Sequence, residues 1–247
     1  MNDAFTMHEL ASDMAVQVTR SMPDLPAALD ARMETLWRNA FARVAAGGAG
    51  ELFTARVCSA DTISPTAITG HVTEFRRIVA QIEDPALFEV LSLRPLAVSG
   101  VVRCADGVPV GRRHPAAIYQ PGMWQLPPAG GVDPSAIDAA GRVDSRAPLL
   151  HELEEELGIS GTRIDLVRPL CAVEHPGSHV TDIGMLRTTE LTGAQVPDAH
   201  RRRGNTEYDP LLCIPFNDLS EFLTNAGADL VPPAAAFRSR AGLLATN

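Results

Sequence analysis

The stretch His151-Glu152-Leu153-Glu154-Glu155-Glu156-Leu157-Gly158-Ile159 carries the densest pattern in the chain. Leu149, Leu153 and Leu157 recur every four residues, the spacing of one buried helix stripe. Gly158 follows as a terminator, so the spacing predicts a helix over Leu149 to Leu157. On that helix Glu152, Glu155 and Glu156 stand at i, i+3 and i+4 and project from one face. Three like charges on one stripe repel and destabilise a bare helix. A divalent cation removes that penalty, and carboxylate oxygens are the ligands Mg²⁺ prefers. A solvated acidic surface has the same spacing, so the neighbouring sequence has to discriminate.

Outward from the helix, Trp124-Gln125-Leu126-Pro127 leads into Ala129-Gly130-Gly131. Before it, Leu96 to Cys104 is a buried strand run, Ala105-Asp106-Gly107 has hairpin chemistry, and Val108 to Arg113 is a second strand. Strands are expected over Arg163 to Val173, Val180 to Glu190 and Tyr208 to Pro215, then a short helix Asn217 to Leu223 capped by Asn217 or Asp218. Nearer the N-terminus, residues 1–6 read as frayed and Met7 to Ser21 as a short helix. Ala27 to Ala46 has apolar residues at helical spacing, with Trp37 and Phe41 as core, and ends at Gly47-Gly48-Ala49-Gly50. Two strand runs follow, Glu51 to Ala60 and Thr62 to Thr73, then a helix over Glu74 to Gln81. The expected fold class is α+β, a mixed β-sheet sandwich between helices. Residues 1–92 form an N-terminal extension packed on a catalytic domain of residues 93–247, with a boundary near Leu91 to Pro95 and no flexible linker.

The chain of 247 residues, 45% apolar, is long enough for a sizeable core. A formal net charge of −9 argues against non-specific nucleic-acid binding, while a metal ion can still make a local site for phosphate. Cys58, Cys104, Cys171 and Cys213 are far apart and form no C-x-x-C pair, so reduced thiols in a cytoplasmic protein are expected. The start has no basic segment followed by an apolar run, and no apolar run of about 18 residues occurs, so neither a secretory signal nor a membrane span is expected.

The helix and its lead-in resemble the Nudix hydrolase superfamily, whose box is G-x5-E-x7-R-E-U-x-E-E-x-G-U, with U bulky and apolar. Glu152 to Ile159 fits E-U-x-E-E-x-G-U without a gap, Trp124 to Gly131 resembles the usual lead-in, and Val110 to Arg113 the preceding strand. The resemblance covers roughly residues 93 to 225. It departs at His151, where the box has an Arg that orients and balances the glutamates. The interval from Gly131 to His151 is six residues longer than the box allows, and Val143 stands where the first box Glu belongs.

The resemblance implies a Mg²⁺ (or Mn²⁺) hydrolase in which a water attacks a phosphorus of a nucleoside diphosphate linked to a second group. By motif position Glu152, Glu155 and Glu156 are the metal-binding and catalytic residues. Glu207 joins them as a further ligand or base from a later loop, with Glu174 and Asp182 as competitors. Substrate contacts are expected from Arg112 or Arg113, which alternate on one strand, from Trp124, Gly130, Gly131 and His175, with His179, Tyr119 and the run Arg201-Arg202-Arg203 as weaker candidates. The order of the N-terminal strands, with Gly70 to Arg76, resembles the pre-domain of the branch that includes UDP-glucose and UDP-galactose diphosphatases. A UDP-sugar is the first expectation. ADP-ribose or dinucleotide hydrolysis, or a nucleotide-binding regulatory domain without catalysis, are the alternatives. The expected partner is a small nucleoside diphosphate derivative, with a homodimer left open and neither nucleic acid nor membrane among the partners.

Overall fold

The structure, a computed structural model, describes residues 5–47, 55–117 and 119–243. Its centre is a five-stranded mixed sheet in the order β1 (Thr6–Glu9), β10 (Asp165–Glu174), β11 (Thr181–Thr188), β5 (Leu96–Arg103), β8 (Ala129–Gly131). β11 and β5 run parallel and the other neighbours antiparallel. β12 (Tyr208–Pro215), β6 (Gly107–Arg113) and β7 (Trp124–Gln125) form a second, antiparallel sheet. The third joins β3 (Arg56–Ile63), β4 (Ala67–Glu74), β2 (Ala15–Arg20) and β9 (Arg142–Val143). The helices are α1 (Ala27–Gly47), α2 (Phe75–Glu83), α3 (Phe88–Leu91), α4 (Arg146–Leu157), α5 (Gln195–Arg203), α6 (Phe216–Ala226) and α7 (Pro232–Arg240). The class is α+β with mixed sheets. No described helix is long and apolar enough to cross a membrane.

The alternation of β5 explains the layering. Leu96 and Val98 join a core cluster with Leu149 of α4, and Val102 joins another with Leu153 and Leu157. Val101 points the other way, into a cluster with Leu219 and Leu223 of α6 and Phe237 of α7. Strands lined by apolar residues on both faces need cover on both, and α4 and α7 provide it.

Several boundaries differ from the sequence reading. Met7 to Ser21 holds β1 and β2 rather than a helix; Val16 is buried in register with Ile68 of β4 and Val143 of β9. Thus β1, from the first 92 residues, edges the central sheet, and β9, from the later part, completes the third. Trp37 is 8% exposed, as expected of core, whereas Phe41 is 41% exposed, with its ring 6.4 Å from that of Trp37. The run Arg201-Arg202-Arg203 ends the helix α5, a helix not expected from the sequence. The short C-terminal helix begins at Phe216 with Pro215 as its cap, not Asn217 or Asp218. The expected start of the strand from Glu51, and Gly48 to Gly50 and residues 1–4, lie outside the described residues.

Candidate functional site

α4 begins at Arg146, with Pro148 tolerated in its first turn, where a backbone N–H has no helical partner. Leu149, Leu153 and Leu157 are almost fully buried and anchor it. Gly158 adopts φ 66°, the left-handed conformation that ends such a helix, and the Gly158 N–H bonds the Glu154 carbonyl at 3.1 Å and the Ile159 N–H the Leu153 carbonyl at 3.3 Å. This anchoring fixes the direction of the glutamates.

Glu152 leans onto β8. A Cβ built on Gly130 would stand 1.8 Å from Glu152 Oε1, so the carboxylate occupies the place a side chain would take. Glu156, one turn later, is completely buried and accepts hydrogen bonds from the Ala129 N–H at 3.0 Å and the Tyr208 hydroxyl at 3.3 Å. Glu155 points outward, more than half exposed, with His151 Nε2 3.5 Å from its Oε1. His151 therefore pairs with Glu155 and not with the inner carboxylates, so it does not take the position that the resemblance gives to the box arginine.

Glu152 lines a cavity of about 420 Å³ together with Gly130, Gly131, Arg113, Glu207 and His175. Arg113 organises one wall: its Nη1 donates to Glu207 Oε1 at 3.0 Å and to Gln125 Oε1 at 2.6 Å, and its Nε to the Tyr119 carbonyl at 3.1 Å. His175 and Asp182 lie on the far wall, their side chains joined at 2.5 Å. Phe75 of α2 adds an apolar edge, so the first 92 residues contribute to the cavity wall.

Not every expected residue comes to this place. Arg112, on the alternate side of β6, donates to the Gly122 carbonyl and lies over the Trp124 ring, which packs edge-on against Phe222. Neither residue lines the cavity. Glu174 is held by His179 and Arg94, while Arg202 and Arg203 of α5 border a different groove with Arg163 and Arg201 borders another. Gln125, Ser99 and Tyr208 were not singled out from the sequence. Ser99 and Asp182 do carry a signal: each is a polar residue inside an otherwise apolar strand run, which calls for an internal partner.

The electrostatics are lopsided. Burial, reinforced by Glu207, Glu155 and Asp133, pushes the Glu152 carboxyl up to about 8. Glu156 is held well above the usual carboxylate range by burial first, then by Glu207 and Glu152, against weaker opposition from the Ala129 N–H and Arg113. No hydrogen-bond donor reaches Glu152 among the described residues. Such a pair is short of positive charge. Among the described residues no group of three or more His, Cys, Asp or Glu side chains forms a ready-made cage. Mg²⁺ does not require one, since it keeps several waters and takes one or two carboxylates plus substrate phosphates. An all-oxygen, buried and under-compensated donor set fits such a cation.

Solved structures of similar arrangement include an Ap4A hydrolase from C. elegans, at 17% identity over 61% of this chain and 98% of that one with a TM-score of 0.39. Others are the MutT protein of Methanosarcina mazei Go1, at 17% identity over 60% and 90% with a TM-score of 0.42, and a Nudix family hydrolase of Clostridium perfringens, at 14% over 61% and 95% with a TM-score of 0.40. No family model and no curated protein matches the chain. None of these likenesses is close enough to assign a family.

Proposed function

We propose that this chain is a metal-dependent hydrolase of the Nudix type, cleaving the phosphoanhydride bond of a nucleoside diphosphate joined to a second group. A nucleotide sugar is the first substrate, giving a nucleoside monophosphate and a sugar 1-phosphate. The observation that carries this reading is the buried pair Glu152 and Glu156, set one turn apart on α4 and raised by burial and then by Glu207, beside a cavity walled by Glu207 and Arg113.

Glu152 and Glu156, with Glu155 adding negative potential from the outer face and Glu207 from across the cavity, are the residues that would hold Mg²⁺. When bound, the cation neutralises phosphate charge and makes a coordinated water more acidic. The chain supplies the rest. Gly130 leaves room for the Glu152 carboxylate, and Tyr208 and Ala129 fix that of Glu156. Arg113 holds Glu207 in place, and its second terminal nitrogen has no partner among the described residues, which leaves a donor for a phosphate oxygen. Phe75 and β8 line the cavity beside these polar groups.

The test is a panel of UDP-sugars, ADP-ribose and dinucleotides incubated with Mg²⁺ or Mn²⁺, with products identified by mass. Metal-dependent appearance of a monophosphate is expected, and its pattern ranks the nucleotide sugar against ADP-ribose and dinucleotides. Binding of nucleotides without turnover of any of them would replace this reading with that of a nucleotide sensor.

A further inference from the structure

At the cavity wall away from Glu152, five side chains form a continuous hydrogen-bonded series. Ser99 Oγ donates to Asp182 Oδ1 at 2.6 Å, and Asp182 Oδ2 lies 2.5 Å from His175 Nε2. The Tyr119 hydroxyl meets His175 Nδ1, and Ser178 Oγ donates to the Tyr119 oxygen at 3.1 Å. His175 and Asp182 are 3% and 5% exposed.

The carboxylate gives the series its direction. An ionised Asp182 only accepts, so His175 carries its hydrogen on Nε2 and presents a lone pair at Nδ1. The Tyr119 O–H then donates into that lone pair. Gln120 Nε2, 3.1 Å from the same Nδ1, is a second donor aimed at it. Buried polar series of this kind persist when every member is satisfied. Tyr119, His175 and Asp182 all line the cavity, and the bonded path from Asp182 through His175 ends on Tyr119. Its hydrogen is committed to His175, so toward the cavity its oxygen accepts hydrogen bonds and offers none. Phosphate oxygens are acceptors and do not match it, whereas a hydroxyl does.

Position separates this end from the phosphates. Asp182, Ala97 and Gly131 face one another across β11, β5 and β8. Two strand spacings are roughly 10 Å. A group acting at phosphorus has to come within hydrogen-bond reach, about 3 Å, of the reacting atoms. The Tyr119 end stands under the turn between β10 and β11, on the Asp182 side, while Glu152 leans on β8. Ala97 and Gly131 put nothing larger than a methyl group on the floor between. The cavity thus has one end, at Glu152 and Glu207, for metal and diphosphate and a hydrogen-accepting end, at Tyr119, His175 and Asp182, for whatever lies beyond the diphosphate.

Resting on the function proposed above, we infer that Tyr119, positioned by His175 and Asp182, accepts a hydrogen bond from a hydroxyl of the group joined to the nucleoside diphosphate. The chain thereby selects a hydroxylated ring at that place. Tyr119 is the specificity-determining residue, and His175 and Asp182 act through it.

The test compares wild type with Tyr119→Phe on UDP-glucose and ADP-ribose, each against the methyl ester of the same nucleoside diphosphate, which keeps the anhydride and lacks the ring. For whichever ring-bearing substrate the wild type cleaves, kcat/KM should fall about 10- to 100-fold in the variant, mainly through KM. The matching methyl ester should change less than about twofold. An equal loss on both substrates, carried by kcat, would mean that the series serves the chemistry at phosphorus and would overturn the inference. So would no loss on either. A wild type that cleaves no diphosphate removes the functional reading and this inference with it, whereas turnover without discrimination removes the inference alone. A second measurement needs no variant: among monodeoxy analogues of the preferred ring, one should lose a comparable factor with the wild type. Uniform rates across that series would overturn the assignment.

Discussion

An alanine at residue 130 would place its Cβ 1.8 Å from the present position of Glu152 Oε1, whereas one at residue 131 would meet only Val57 Cγ1, at 3.3 Å. Neighbouring glycines thus make unequal demands. Gly130→Ala is expected to displace the carboxylate and weaken Mg²⁺ activation by roughly 10- to 100-fold, the scale of lost support around a metal. Gly131→Ala should leave it within a few-fold, and a Mg²⁺ titration of turnover in both variants checks the contrast. Arg187 poses a different question at this scale. It is 3% exposed, its Nε and one terminal nitrogen have no hydrogen-bond partner among the described residues, and burial together with Arg146 brings its pKa down to about 10. An unpaired buried guanidinium costs stability that an apolar side chain of similar length does not. Arg187→Met is therefore expected to raise the melting temperature by several degrees, at roughly 2–4 °C per kcal/mol for a chain of this size. A lower melting temperature would show that Arg187 has a partner in solution.

Among the elements, α4 was legible because two local signals agree: leucines at four-residue spacing, and a glycine that can take positive φ. The inner pair Glu152 and Glu156 follows from helix periodicity. Local spacing also puts Glu155 on the same stripe, yet the structure turns it outward, because the cluster spans more of the helix circumference than the cavity does. β1 and β2 were illegible for the opposite reason. Met7, Leu10, Ala11 and Met14 recur at helical spacing, and what makes this segment extended is pairing with β10, β4 and β9, far away in sequence. Likewise Arg113, Glu207 and His175 could be named as candidates, but that Arg113 grips Glu207 while Arg112 turns away to Trp124 depends on which face of the sheet β12–β6–β7 is turned toward the cavity. The strand pairing also bears on the chain's division at residue 92. Limited proteolysis near Leu93 is expected not to release a fragment that retains activity, because the cut piece carries an edge of the central sheet and Phe75 of the cavity wall. A stable, active fragment starting there would show that residues 1–92 are dispensable.

For the whole molecule, the raised carboxyls link stability to pH and to metal. Glu152 goes from an ordinary 4.5 to about 8 on folding, so between those values the folded chain holds more protons than the unfolded one. Stability must then fall as pH rises through that window, and Glu156, raised for the same physical reason, adds to the slope. The effect is on the order of a few kcal/mol. In the presence of a chelator the melting temperature should drop between pH 5 and pH 8. Mg²⁺ should restore much of it at pH 8 and little at pH 5, since only ionised carboxylates bind the metal. Glu152→Gln should flatten both dependences, and a variant with an unchanged Mg²⁺ shift would argue against Glu152 as a ligand. The strand order has a consequence for how the molecule is made. β1 completes the central sheet only beside β10, and β2 meets β9, so the earliest-synthesised strands wait for partners that leave the ribosome late. Assembly through such distant pairings is slow, and an unpaired strand edge is exposed to other chains meanwhile. Yield in a cell should accordingly respond to translation rate and chaperone supply more strongly than the equilibrium stability of the finished fold would indicate.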